Sequence, residues 1–217
     1  MLSLELSFII LLVVYATIIY EIAVLPVPSV ASTYQLFFVE RADDAVKTSP
    51  PGSLLQRIRG LSNTNKLILL FVPTAISVVN YCFPITLHFL PESLLQAVML
   101  PSIKSFWGDL LGLVLIIAGR SLALLSVVNI RAQNSQQNDD FDLKTAGLFG
   151  FSRNPILVGM YLTYWGIFFI LPNIVTLIGF FIYAANMHFR ILLEEDFLSH
   201  LFGEKFIEYR NHTRRYI

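Results

Sequence analysis

Arg153, Arg190 and Glu194 are the residues of this 217-residue chain whose types and spacing best suit chemistry. Arg153 stands just before a charge-free run from Ile156 to Leu171, Pro172-Asn173 makes a turn, and a second run returns from Ile174 to Met187. Arg190 and Glu194 follow directly. An arginine's planar fork can donate two parallel hydrogen bonds to a carboxylate, and a glutamate one helical turn on suits a cationic or hydroxyl-bearing group. The pair reads in two ways: as an anchor for a substrate, or as an interfacial ion pair that orients a helix end. Arg153 is open in the same way, as a site residue or as a positive anchor at a membrane face, while Glu195 and Asp196 read as solvated. Two membrane crossings return a chain to the side it left, so both charged clusters are expected at one face. Charge at the mouth of a lipid-bounded pocket suits a substrate that is half apolar and half polar.

The elements that must position these groups are apolar. Fifty-five per cent of the side chains are hydrophobic and 14% charged, and the mean hydropathy is +0.66, values that point to an integral membrane protein rather than a soluble domain. The formal charge of zero gives no reason to expect a nucleic-acid partner. Cys82 is the only cysteine, which excludes a disulfide within the chain or a thiolate metal site. His88, His188, His200 and His212 lack close ligand spacing, so no metal is expected. The N-terminal apolar stretch carries Glu5, has no basic residue before it, and is longer than a signal core, so it is expected to be a retained helix.

Five apolar segments stand out, at 6–25, 67–87, 110–130, 155–171 and 174–188. The first three could span a hydrocarbon core of ~30 Å; the last two are shorter. Thirteen of the fifteen Lys and Arg residues fall on one side of a five-pass layout, with Lys104 on the other and Arg120 inside the membrane. The positive-inside rule then sets an outside N-terminus and a cytoplasmic C-terminus. The expected architecture is all-α: a polytopic membrane protein with five transmembrane helices, the last two a tight hairpin followed by a cytosolic amphipathic helix. Residues 1–105 would form a two-helix membrane region with a long cytosolic loop, and 106–217 the core. In that loop Leu54, Leu55, Ile58 and Leu61 beside Arg57 and Arg59 suggest a surface-lying helix, and Gln133 to Asp140 reads as a polar loop. Asn154 suits an N-cap and Pro155 the first helical position. Gly159 and Gly166 share a face that lets a neighbour approach closely. Leu193, Phe197 and Leu201 follow helical spacing, with Gly203 as a stop. Arg120, mid-helix, must pair or line a wet cavity; Glu21 is a possible partner, though snorkelling to the interface is the simpler expectation for it.

Taken together, Gly147 to Pro155, Gly159, Phe189-Arg190-Ile191, Glu194-Glu195, Leu198, Phe202-Gly203, Phe206, Tyr209, Arg214-Arg215 and the earlier Gly119-Arg120 resemble the C-terminal signature of isoprenylcysteine carboxyl methyltransferase-type membrane proteins, closer to bacterial members. The resemblance covers about residues 110 to 217. It implies S-adenosyl-L-methionine as cofactor in a cytosolic pocket roofed by the C-terminal region. It also implies a lipid-facing tunnel for a prenylated or otherwise lipid-linked acceptor, in a bacterial inner membrane or an endoplasmic reticulum membrane. By residue, it implies cofactor contacts at Leu143, Lys144, Phe149, Asn154, Pro155, Ile156, Leu157 and Glu194, and an acceptor carboxylate at Arg190. Asn154 stands where the family has histidine, and Leu157 where it has tyrosine, which leaves the acceptor open. A phospholipid N-methyltransferase, a sterol-reductase-like NADPH enzyme, and a non-enzymatic transport or assembly protein are the other readings.

Overall fold

The computed structural model describes residues 2–24, 57–58, 60–136, 143 and 145–217. Among these, the regular elements are helices: α1 Leu4–Val24, α2 Asn63–Thr86, α3 Glu92–Val98, α4 Phe106–Gln136, α5 Leu148–Phe151, α6 Pro155–Ile170, α7 Ile174–Phe202 and α8 Glu204–His212. Apolar runs favour helices because each backbone N–H then finds its acceptor within the segment. Three stretches are long and apolar enough to cross a membrane, Leu4–Glu21, Phe106–Asn129 and Ile174–His200; the apolar stretch Ala75–Phe89 and α6 are shorter. Three of the five expected spans therefore have crossing length.

α4 and α6 lie against each other more extensively than any other pair, and glycine is the reason. A Cβ on Gly119 would sit 2.5 Å from the carbonyl oxygen of Gly159, and one on Gly166 would sit 2.6 Å from that of Gly112. Glycines seven apart on both antiparallel helices thus bring backbone onto backbone. The tight α6–α7 hairpin expected from the sequence is not what forms. α7 packs mainly along α2, and rings fill the wedge between it and α6. Tyr161, Tyr164 and Trp165 meet Phe180 and Tyr183 with centroids 4.9–6.0 Å apart. Having given its glycine face to α4, α6 has only bulky side chains to offer α7.

The amphipathic helix expected beyond the fifth segment is continuous with that segment. No helix breaker follows residue 188, so α7 continues unbroken to Phe202 and stops at Gly203, whose φ of 53° suits glycine. Similarly, Gln133 to Gln136 continue α4 instead of opening a loop; 137–142 lie outside the described residues. Of the suggested surface helix, only Arg57, Ile58, Gly60 and Leu61 are described, and Ile58 is buried.

Arg120 faces the bundle. Its Nη2 donates to Glu21 Oε2 at 2.5 Å, Nε to Thr17 Oγ1 at 3.0 Å and Nη1 to Met160 Sδ at 3.4 Å. Glu21 therefore does not snorkel: both charges are buried, and each satisfies the other where water cannot. At the turn between α6 and α7, Asn173 is fully buried. Its Oδ1 accepts from Thr176 N at 2.7 Å, capping α7, and its Nδ2 donates to Leu171 O at 2.7 Å. Lys104 pairs with Asp109 and donates to Ile170 O at 2.6 Å, and the Leu2 amide donates to Asp109 Oδ2 at 2.7 Å.

Candidate active site

α6 and α7 leave one turn, so equal distances along them mark equal depths. Pro155 and Arg190 are each about 24 Å from that turn at 1.5 Å per residue. The two charged clusters consequently meet: Arg153 Nη2 lies 3.0 Å from Glu195 Oε1. Around this contact the chain's last residues fold back over the segment preceding α6. The Arg153 amide donates to Arg214 O at 2.9 Å, Ser152 and Arg214 form a parallel bridge, and Tyr209 Oη donates to Phe149 O at 2.6 Å. Burial pushes the Tyr209 phenol up to about 12, with Arg153 opposing the rise.

Glu195 is not solvated, contrary to the expectation from sequence. Arg215 grips it with two parallel hydrogen bonds, Nε to Oε1 at 3.0 Å and Nη2 to Oε2 at 2.7 Å, and Arg153 binds it from the other side. Those bonds hold the Arg215 guanidinium above its ordinary pKa. Arg153 also donates through Nη1 to Arg210 O at 2.8 Å, so both of its terminal nitrogens are engaged. Beyond Arg215, Tyr216 Oη is 2.7 Å from His188 Nδ1, and its ring is 6.2 Å from that of Tyr161.

Asn154 precedes α6 as expected, but its side chain does not cap the helix. Nδ2 donates instead to Arg215 O at 3.0 Å. The first amides of α6 are therefore left without a side-chain cap, at the positive end of the helix dipole. Pro155 is buried, and Phe149, Ile156 and Leu157 are half-buried beside it. Leu157 packs on the main apolar core. Leu143 is half-buried; Lys144 lies outside the described residues.

Glu194 and Glu195 are about 100° apart around α7, which turns Glu194 away from the Arg153–Glu195–Arg215 contact. Glu194 keeps accessible surface, with Arg190, one turn before it, as its main electrostatic partner. Arg190 is half-buried and also interacts with Tyr183. No hydrogen bond or ion pair ties Glu194 to another described residue. Among the described residues no three His, Cys, Asp or Glu side chains are grouped to hold a metal ion.

Sequence reasoning singled out Arg153, Asn154, Arg190 and Glu194, and the structure brings these to one end of the α6–α7 pair. It missed the work of Glu195, Arg215, Tyr216 and His188. Only His188 and Glu195, seven apart and so on one face of α7, left a signal that spacing could have read.

Residues 107–205 match the family model described as phospholipid methyltransferase. A protein-S-isoprenylcysteine O-methyltransferase of Xenopus laevis is 30% identical over 129 residues, which are 55% of this chain and 44% of that relative. The matched region thus spans less than half the relative's length. No solved structure matches the chain. Its C-terminal region is similar to membrane methyltransferases of the isoprenylcysteine carboxyl type, as the motifs implied.

Proposed function

We propose that this chain is an integral membrane methyltransferase that takes S-adenosyl-L-methionine at the Asn154 end of the α6–α7 pair and methylates a carboxylate on an amphipathic or lipid-linked acceptor. The observation that carries this reading is a pair of complementary charges one turn apart on α7, the half-buried Arg190 and the accessible Glu194, at the same end of the α6–α7 pair as the side-chain-uncapped N-terminus of α6. The donor fits such residues. Its carboxylate suits free helix amides, its hydroxyls and ammonium suit Glu194, and the nearby Phe149 face suits a sulfonium. When bound, the donor supplies an electrophilic methyl group on that sulfonium. The chain's part is positioning and charge balance. Arg190 holds the acceptor carboxylate through its fork, and a carboxylate is already nucleophilic at neutral pH, so no base is needed. Glu194 keeps the donor side of the site negative.

Five crossings with a cytoplasmic C-terminus go with this reading, the short α6 being held in the bilayer by its backbone contact with α4. Residues 1–105 then support a catalytic core formed by 106–217. The match to the phospholipid methyltransferase model favours an amine acceptor as the second reading. An ammonium would have to lose a proton first, and Arg190 would repel it.

Calorimetry of the detergent-purified protein is expected to give S-adenosylhomocysteine binding and none for NADPH; the reverse would replace the methyltransferase by a reductase. Arg190→Gln is expected to lower kcat/KM toward a carboxylate acceptor about 100-fold, as loss of a charged hydrogen-bond pair does, with donor affinity within about twofold of wild type. An unchanged or improved rate on an amine headgroup acceptor would favour the second reading.

A further inference from the structure

We infer that Glu195 is a positioning residue for the donor side of this site: it never touches the ligand, but it clamps the C-terminal strap onto the segment that begins α6. The inference rests on the donor reading above. Three strands of chain converge on this one carboxylate. Arg153 comes from the segment before α6 and Arg215 from the strap, while Glu195 belongs to α7. Its two oxygens carry three contacts of 2.7–3.0 Å, and its side chain is only 11% exposed. With Glu195 present the local charge is two cations against one anion; without it, the Arg153 guanidinium, 8% exposed, and that of Arg215 lose the carboxylate between them.

The strap contacts that follow are directional. Arg215 O receives the Asn154 side chain, and Arg214 O receives the Arg153 amide. Through these, the strap fixes the backbone just before Pro155 and draws Asn154 away from capping the helix. It is this withdrawal that leaves the first α6 amides open to a ligand. Glu195 therefore acts on the donor through Arg215, the strap and Asn154, and the acceptor side at Arg190, on the other flank of α7, is outside its reach.

The test is calorimetry with S-adenosylhomocysteine on the full-length protein in a Cys82→Ser background, with steady-state kinetics for donor and acceptor. Glu195→Gln is expected to weaken S-adenosylhomocysteine about tenfold or more, to raise the donor KM in step, and to leave the acceptor KM within about twofold. Arg215→Gln should do the same to a smaller extent, since Arg153 remains paired. Rescue separates positioning from general damage. The pair Ser152→Cys and Arg214→Cys, at the bridged positions, should restore affinity to Glu195→Gln when oxidised and not when reduced. Wild-type affinity in Glu195→Gln, or a loss that the oxidised pair does not restore, overturns the inference while leaving the donor reading intact. Absence of binding by the wild-type background overturns the donor reading itself, and the inference with it.

Discussion

At the Pro172 end of the α6–α7 pair, Asn173, Lys104 and Asp109 direct their polar groups at one another and at nearby backbone. At the Asn154 end, the corresponding asparagine turns away from its helix, and Glu194 stays accessible. Both ends have an asparagine next to a proline, a helix terminus and charged side chains. The closed end behaves as structure: a fully buried asparagine caps one helix and ties off the other. The open end withholds the same service from α6 and so keeps backbone amides available. The difference teaches that the site is marked less by charge, which both ends have, than by a carboxylate left accessible and a helix end left without a side-chain cap.

Substitutions can break or sharpen this contrast. The largest effect is expected from Gly159→Leu, which pushes a side chain into the α4 backbone at Gly119 and Ala123. Because α4 supports α6 along its length, both ends should suffer together, with about 3 kcal/mol of stability lost, read as a fall in thermal midpoint and in folded yield. Asn173→Ala should separate the ends: loss of a buried cap is expected to lower stability by about 2 kcal/mol while S-adenosylhomocysteine affinity, measured well below the midpoint, stays the same. A change in affinity there would tie the closed end to the site. Glu194→Gln should do the opposite, weakening S-adenosylhomocysteine about tenfold, equivalent to about 1.4 kcal/mol, with no loss of thermal stability. A loss of stability equal to that of Asn173→Ala would make Glu194 a structural residue.

Much of the fold was legible because apolar runs and their breakers are local signals. Pro155 opens α6 and Gly203 closes α7 at the residues that the sequence marked. The tight hairpin misled because Gly159 and Gly166 announced a close neighbour without saying which. The answer lay in Gly112 and Gly119, whose matching spacing places them opposite. The ion pairs were the least legible part. Glu21 and Arg120 are 99 residues apart, and Arg215 reaches Glu195 only because the strap doubles back. Glu194 and Glu195 look alike in the sequence, yet one residue's rotation of about 100° leaves one accessible and the other in a clasp. Spacing can say that neighbours on a helix face different ways; it cannot say what waits on each side.

Amide hydrogen exchange of the full-length protein in detergent, with and without S-adenosylhomocysteine, tests the central claim most directly. Protection is expected at 154–158 and 190–196, with no change at 104–109 or 171–177. Protection confined to the Pro172 end, or none at 154–158 when calorimetry reports binding, would contradict the assignment of the site to the open end.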